Sequence, residues 1–394
     1  MKLDYTRRTG RLENPARFAA LESFLEESGL SNPALEGFPK GSAYLYRAAG
    51  LHGSCSYWRL NSCFYLFCPR FENEAEAQSY LEKTGLAEIA NESVGTVLLL
   101  SPRGKSWSAD DLDSLCRLQR AALENLGDIC GSYCYNYYIG IDTGASFLHD
   151  FVSHFPECSA RAAGALALGG VQTRRGGGEF YERVTPMPVW LEGVSEETLR
   201  EYLRLAGLQN AEPETENGLR IYKSAAEPLM SVVLNKNGGG DLKALIRRAY
   251  DNFLKKRMRL PLEPGRSSLL DSPYCSLWER HTPEELGLEV ISHEDGEPIP
   301  GTEIYRWYEY LPENTSGKMI PLLLALHGHC DDPRAFVEQC GFLELAGRER
   351  LALIAPEHQY IEEATMDDAD STLGKPAMLA RAAEYMLQKY PFLD

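Results

Sequence analysis

Short apolar runs separated by amphipathic stretches dominate the pattern along the chain. Cys63-Phe-Tyr-Leu-Phe67, Val97-Leu-Leu-Leu-Ser101, Ala163 to Leu168, Pro188 to Leu191 and Leu229 to Leu234 are apolar at consecutive positions and too short for helices. That is the pattern of strands buried on both faces of a parallel sheet. Tyr133 to Ile141 reads as a further, aromatic strand. Between the runs, Ala109 to Leu126, Gly144 to Phe155, Glu196 to Leu205 and Asp241 to Arg257 carry apolar residues at helical spacing, with Phe147, Phe151 and Phe155 on one stripe. Alternating strands and helices predict an α/β fold, a mostly parallel sheet with helices on both faces.

The pattern recurs later in the chain. Ser79-Tyr-Leu-Glu-Lys-Thr-Gly-Leu-Ala-Glu-Ile-Ala90 aligns with Ala335-Phe-Val-Glu-Gln-Cys-Gly-Phe-Leu-Glu-Leu-Ala346, matching Glu82 to Glu338, Gly85 to Gly341 and Glu88 to Glu344. Val97-Leu-Leu-Leu-Ser-Pro102 then aligns with Leu351-Ala-Leu-Ile-Ala-Pro356, and upstream Cys63 to Phe67 has its counterpart in Pro321 to Leu326. A self-match of this kind predicts one unit used twice. The Pro/Gly-rich stretch Leu260-Pro-Leu-Glu-Pro-Gly-Arg266 separates the copies, giving expected domains of 1–262 and 263–394.

The later copy contains Tyr305-Arg-Trp-Tyr-Glu-Tyr-Leu-Pro312, Pro321-Leu-Leu-Leu-Ala-Leu-His-Gly-His-Cys330 and Leu353-Ile-Ala-Pro-Glu357. These segments resemble the opening of α/β-hydrolase esterases of the polyhydroxybutyrate depolymerase and feruloyl esterase group. The resemblance implies an α/β-hydrolase fold and a serine ester hydrolase whose oxyanion hole is built at His327, Gly328 and His329, where a small residue after a strand end lets the backbone turn and aim an N–H. It also implies a Gly-x-Ser-x-Gly elbow on the strand after the helix Lys375 to Tyr390. The given sequence holds no such motif, and the second copy is expected to end before the elbow.

The earlier copy reaches the elbow position. Tyr137-Tyr-Ile-Gly-Ile-Asp-Thr-Gly-Ala-Ser146 sets Gly140 and Gly144 around Asp142, where the esterases carry serine. An aspartate serves as nucleophile in haloalkane dehalogenases and epoxide hydrolases. Other positions depart from the esterase pattern. Cys68-Pro69 stands near the place of His327-Gly328, and its proline removes a backbone donor. Asn235-Lys-Asn-Gly-Gly-Gly-Asp241 offers Asp241 where the family has histidine, and Glu196 stands near the acid position. His149 and His154 on the following helix are expected to pack or face solvent. Asp142-Thr143-Gly144 also matches an aspartic-protease signature, but no second Asp-Thr-Gly exists to share the proton.

Composition narrows the partners. A net charge of -17 opposes phosphate backbones and anionic membranes, so nucleic acid and membrane are not expected. At 44% hydrophobic and 25% charged residues the chain has enough apolar content for a packed core. Ten cysteines without a CxxC pair read as buried thiols, so neither a metal nor a cofactor is expected, and a polar N-terminus makes the cytoplasm the default. The basic run Lys255-Lys-Arg-Met-Arg259 reads as the charged end of a helix. The expected function is that of a carboxylic ester hydrolase family protein, acting on a small ester or acyl substrate in a longer protein, with an incomplete catalytic set in this chain. A non-catalytic ligand- or protein-binding pseudoenzyme and an Asp142-nucleophile hydrolase are the alternatives.

Overall fold

The computed structural model describes residues 15–28, 41–50, 61–124, 129–130, 132, 134–154, 162–171, 187–225, 227–236, 240–259, 277–294, 297–315, 317–327, 333–357 and 369–394. They fall into two compact units that divide between Arg280 and His281.

The first unit is built on β1 (Arg17–Ala20), α1 (Leu21–Ser28), β2 (Ala43–Arg47), β3 (Cys63–Phe67), α2 (Glu74–Thr84), α3 (Leu86–Glu92), β4 (Thr96–Leu100), α4 (Ala109–Glu124), β5 (Asn136–Ile141), α5 (Thr143–His154), β6 (Gly164–Leu168), β7 (Val189–Glu192), α6 (Glu196–Leu205), β8 (Glu214–Glu216), β9 (Leu219–Lys223), β10 (Ser231–Asn235) and α7 (Leu242–Ala249). Ten strands form one sheet in the order β1-β2-β4-β3-β5-β6-β7-β10-β9-β8. From β4 to β10 the pairings are parallel; β1, β2, β8 and β9 are antiparallel additions at the edges. The chain leaves β3 toward β4 on one side and leaves β5 toward β6 on the other. The crevice at the carboxyl ends of β3 and β5 is therefore the topological switch point, where open α/β sheets bind ligands.

Each central strand is buried on both faces, which is why its sequence is continuously apolar. Tyr65, Phe67, Leu98, Leu100 and Tyr138 pack with residues of α4, α5 and α6. On the opposite face Phe64 meets Tyr250, and Trp190 meets Phe253, both from the π-helical turn Tyr250–Leu254 that follows α7.

That turn corrects the reading of a helix through Arg257. The helix ends at the π turn, and Arg257–Arg259 form a strand, β11, paired with β12 (Leu277–Glu279). Lys255 and Lys256 are exposed at the end of the helical turn, whereas Arg257 and Arg259 are buried and belong to β11. The Arg257 guanidinium sits 3.8 Å from the centre of the Phe253 ring and donates to Phe253 O at 2.7 Å and Ser231 Oγ at 3.0 Å. Burial lowers its pKa to about 10, against the attraction of Glu279 and Tyr137. Arg259 donates to Ala162 O at 3.2 Å. Because β12 completes this pair, the first unit runs beyond the boundary at 262 suggested by the prolines.

The second unit contains β13 (Leu288–His293), β14 (Trp307–Pro312), β15 (Leu322–Leu324), α8 (Pro333–Gln339), α9 (Phe342–Glu349), β16 (Ala352–Pro356) and α10 (Ala369–Lys389). Its sheet order is β13-β14-β16-β15, with β15 and β16 parallel and β14 antiparallel to both of its neighbours. One face packs under α10 through Trp307, Ile354, Ala382 and Met386. The other packs under α8 and α9 through Tyr310, Leu353, Val337 and Leu343. The fully buried Glu309 of β14 accepts from His293 Nε2 at 2.8 Å, Trp307 Nε1 at 3.2 Å, Lys389 Nζ at 2.9 Å and the Tyr390 hydroxyl at 2.6 Å. Burial alone would raise its pKa; Tyr390, Lys389 and Trp307 outweigh it and hold the carboxyl below its ordinary value.

The residues after α10 pair with the segment that leads into β15. Ile320 N donates to Phe392 O at 2.8 Å and Asp394 N donates to Ile320 O at 2.8 Å, so Leu393 already forms a parallel bridge with Ile320. Among the described residues, no helix is long and apolar enough to cross a membrane.

The tightest point of the first unit is Gly144, where a Cβ would lie 1.9 Å from Phe67 O and 2.6 Å from Phe67 C. A backbone obstacle of this kind yields only by separating α5 from β3. Gly144→Ala is expected to cost about 3 kcal/mol or more in urea denaturation, and a loss below about 1 kcal/mol would contradict the described packing.

Candidate functional site

Asp142 lies at the tight turn between β5 and α5, with φ at 51° and an exposed side chain. Left-handed backbone is costly for a residue with a Cβ and marks functional turns when the surroundings enforce it. The enforcement is visible here. Asp142 N donates to Leu168 O at 2.9 Å, tying the turn to β6, and Ser146 N donates back to Asp142 O at 3.0 Å as α5 begins. A Cβ on Gly140 would lie 2.6 Å from Ala145 Cα, and one on Gly170 would lie 2.6 Å from Ser146 N. The small residues that the elbow reading requires at 140 and 144 are thus explained by close backbone approach, with Gly170 as a third that the sequence did not single out.

His149 supports this turn from below. It is buried on α5, with Nδ1 2.7 Å from the Tyr202 hydroxyl and Nε2 3.3 Å from Gly169 O. A carbonyl can only accept, so Nε2 carries the proton and Nδ1 accepts from Tyr202. Burial lowers the imidazole pKa to about 4, despite the Gly169 carbonyl. The ring is a neutral strut, with both nitrogens engaged, and is not available as a general base.

Among the described residues, the neighbouring positions singled out by the sequence are each engaged in the frame. At the end of β3 the Cys68 N–H is taken by Leu100 O at 2.8 Å, its thiol donates to Leu66 O at 3.0 Å, and burial pushes the thiol pKa well up. After β7, Glu196 is exposed and paired with Lys236 at 2.7 Å, and that pairing lowers its pKa. After β10, Asp241 caps α7 by accepting from Ala244 N at 3.1 Å. The side chain of His154 lies outside the described residues. Tyr80, which sequence reasoning missed, faces this region from α2: burial, then Cys68, then Asp142 hold its phenol well above the ordinary value.

Beside the turn, an open cleft of about 330 Å³ lies between the start of α4 and the exposed side of α5. Its apolar wall is Trp107, Phe147 and Leu112; Ser106, Ser108, Thr143, Ser146 and Asp150 supply its oxygens. Trp107 stacks on Phe147 at 4.0 Å and 16° and is met at an angle by Phe67. The loop that carries it is fixed by buried Asp111, which accepts from Arg103 N at 3.0 Å and from the N–H and hydroxyl of Ser108 at 2.8 and 2.9 Å. No motif marked this cleft. The one usable sign in the sequence was Ser108 three residues before Asp111, the spacing of a helix-capping box.

In the second unit His327 is buried at the end of β15, with Nε2 3.0 Å from Oε1 of Glu357 at the end of β16. The spacing of His-Gly and Ala-Pro-Glu therefore reflects one contact, and Glu357 is its partner. Gly328 and His329 lie outside the described residues. The structure does not bring Asp142 and His327 into one compact unit. Among the described residues, no group of three or more histidine, cysteine, aspartate or glutamate side chains is placed to hold a metal.

No family model and no curated protein matches the chain. Among solved structures it is similar to the acetyl xylan esterase from Aspergillus awamori, at 11% identity and a TM-score of 0.39, over 60% of this chain and 98% of that one.

A neutral buried histidine makes a signed prediction. Its folded pKa of about 4 lies below the 6.5 of an unperturbed imidazole, so in that interval the unfolded chain binds the extra proton. The contribution, roughly 3 kcal/mol, is fully present above pH 6.5 and is lost as pH falls toward 4. Unfolding free energies measured at pH 7 and pH 4.5 should differ less in His149→Gln than in the parent protein; equal differences would place the imidazole elsewhere.

Proposed function

We propose that the first unit is a degenerate α/β-hydrolase domain that binds a small ester- or acyl-type molecule in the cleft beside Asp142 without turning it over. The enforced left-handed turn at Asp142 carries this reading. It sits at the topological switch point, holds a side chain exposed at an energetic cost, and opens beside a cleft with one aromatic wall and several hydroxyls. Turnover needs more than the turn. A carboxylate attacking an alkyl halide would form an alkyl ester and expel halide, one attacking an ester carbonyl would form a mixed anhydride and expel the alcohol, and hydrolysis of either needs a base within reach of water. Among the described residues His149 is engaged as a strut, Asp241 as a helix cap and Lys236 in an ion pair. The strained exposed carboxylate itself favours a second reading, Asp142 as a nucleophile.

Both readings meet one experiment on the whole protein. Short-chain p-nitrophenyl esters and 1-bromoalkanes are assayed for turnover, intact mass for an alkyl adduct, and a non-chromogenic short ester for binding by saturation-transfer NMR. The expected outcome is binding with neither turnover nor adduct. Turnover or an adduct that disappears in Asp142→Asn would replace the first reading by the second.

We also propose that 281–394 is the opening part of a second copy of the same fold. The order β13-β14-β16-β15 parallels β1-β2-β4-β3. Gly85 and Gly341 each turn the chain between two helices at φ 69° and 80°. Cys68 N to Leu100 O at 2.8 Å has its counterpart in Ala325 N to Ile354 O at 2.9 Å, and Cys63 N to Tyr135 O at 2.8 Å in Ile320 N to Phe392 O at 2.8 Å. Counting on from Cys68 and Ala325 sets Arg70 at the place of His327. Arg70 donates to Arg103 O at 2.6 Å after β4, as His327 reaches Glu357 after β16. Crystallographic coordinates should superpose β13–β16 on β1–β4 with α10 on the face that α4 occupies; α10 on the opposite face would sink the duplication.

A further inference from the structure

We infer that Asn217 is a site of spontaneous covalent modification: its side-chain amide is lost through attack by the Gly218 backbone nitrogen, and the isoaspartyl product releases β8 from the edge of the ten-stranded sheet. The inference is independent of the cleft beside Asp142.

The site is a two-residue loop. Asn217 and Gly218 join β8 to β9, and the register pairs Glu216 with Leu219 across them. Both have positive φ, 50° and 79°, as the type I′ hairpin turn favoured by Asn-Gly requires. Both are exposed, and even a Cβ added at Gly218 would meet nothing within 4 Å. In such a turn the ladder bonds run between the flanking residues, and the Gly218 N–H has no acceptor among the described residues. The nitrogen is therefore neither bonded nor shielded by a side chain of its own.

That nitrogen, after giving its proton to hydroxide, attacks Cγ of Asn217. A C–N bond forms, ammonia leaves, and a five-membered succinimide results. Water then opens the ring at either carbonyl to give aspartate or isoaspartate, each ionised where asparagine was neutral. The ring fixes the Cα–C torsion of residue 217 away from its value in the turn, so the hairpin must open for the reaction. Little holds it shut. β8 is three residues long with every side chain exposed, and the Lys223–Glu214 pair at 2.7 Å that ties it to β9 is an exposed one of small worth.

Isoaspartate carries the main chain through the former side-chain carbon, lengthening by one atom a loop whose length sets the register. The Glu216–Leu219 pairing is then lost, and β9, with Leu219 and Tyr222 buried, becomes the open edge of the sheet.

The test follows the full chain over time at neutral and mildly alkaline pH, native and in urea, by tryptic mass mapping. Peptide 205–220 contains Asn217 and, as an internal control, Asn210 followed by Ala211; a second Asn-Gly, Asn237-Gly238, falls on another peptide and lies outside the described residues. Acid in place of amide at Asn217 is expected to accumulate in the native chain at a rate within about tenfold of that in urea, faster at alkaline pH, with Asn210 unchanged. Asn217→Gly, which keeps a residue suited to the turn, should yield no modified form of this peptide. The isoaspartyl fraction, separated by ion exchange and identified with isoaspartyl methyltransferase, should lose hydrogen-exchange protection over β8 and β9 that Asn217→Asp retains. Conversion in urea alone, or none at all, overturns the inference. An isoaspartyl form with unchanged protection overturns the release of β8.

Discussion

One missing carbon fixes the position of Asp142. Gly144 lets α5 start in contact with the end of β3, and that contact turns the chain sharply enough that Asp142, two residues earlier, takes left-handed backbone. Everything at the candidate site inherits this constraint. Because α5 is pressed against β3, Phe147 reaches Phe67 at 5.7 Å and stacks on Trp107, so the cleft wall and the turn have one origin. Because the turn is held by Leu168 O on the other side, β6 and the Gly169-Gly170 pair close in behind it, where Gly169 O is the acceptor that keeps His149 in place.

The groups surrounding Asp142 have been given structural work that a hydrolase would need them free to avoid. The end of β3 spends its N–H on the sheet, the residue after β10 caps a helix, and the residue near the acid position holds a surface ion pair. Each arrangement stabilises the frame modestly and at the same time removes a donor, base or orienting acid. Asp142 is left as an exposed carboxylate on an enforced turn, with its neighbours held in the scaffold.

Much of the frame was legible because both-face burial writes itself as continuous apolar runs, and the elbow because close backbone approach leaves glycines at fixed places around Asp142. The basic run at 255–259 was not legible. Four cations in five residues look like a solvated surface, and acceptors supplied from elsewhere in the fold, among them the carbonyls of Phe253, Leu229 and Ala162 and the Ser231 hydroxyl, with the ring of Phe253, make the burial of Arg257 and Arg259 tolerable. Tyr80 and Trp107 were missed for a related reason: each becomes part of the site through a neighbour distant in sequence. His-Gly and Ala-Pro-Glu were visible as motifs, while the bond joining them needed the parallel register of β15 and β16.

The Glu309 cluster has a consequence for the order of events during synthesis. Its carboxylate lies in the middle of β14, yet Lys389 and Tyr390 are 80 and 81 residues further along the chain. Until those residues leave the ribosome, placing Glu309 in its fully buried site would strand a charge with His293 and Trp307 as its remaining partners, at a cost of several kcal/mol. The four-stranded sheet is thus discouraged from settling on the nascent chain, even though β13 and β14 are neighbours in sequence and free to pair early. Folding of the second unit therefore waits on α10, and until it arrives the apolar strands of that sheet stay exposed.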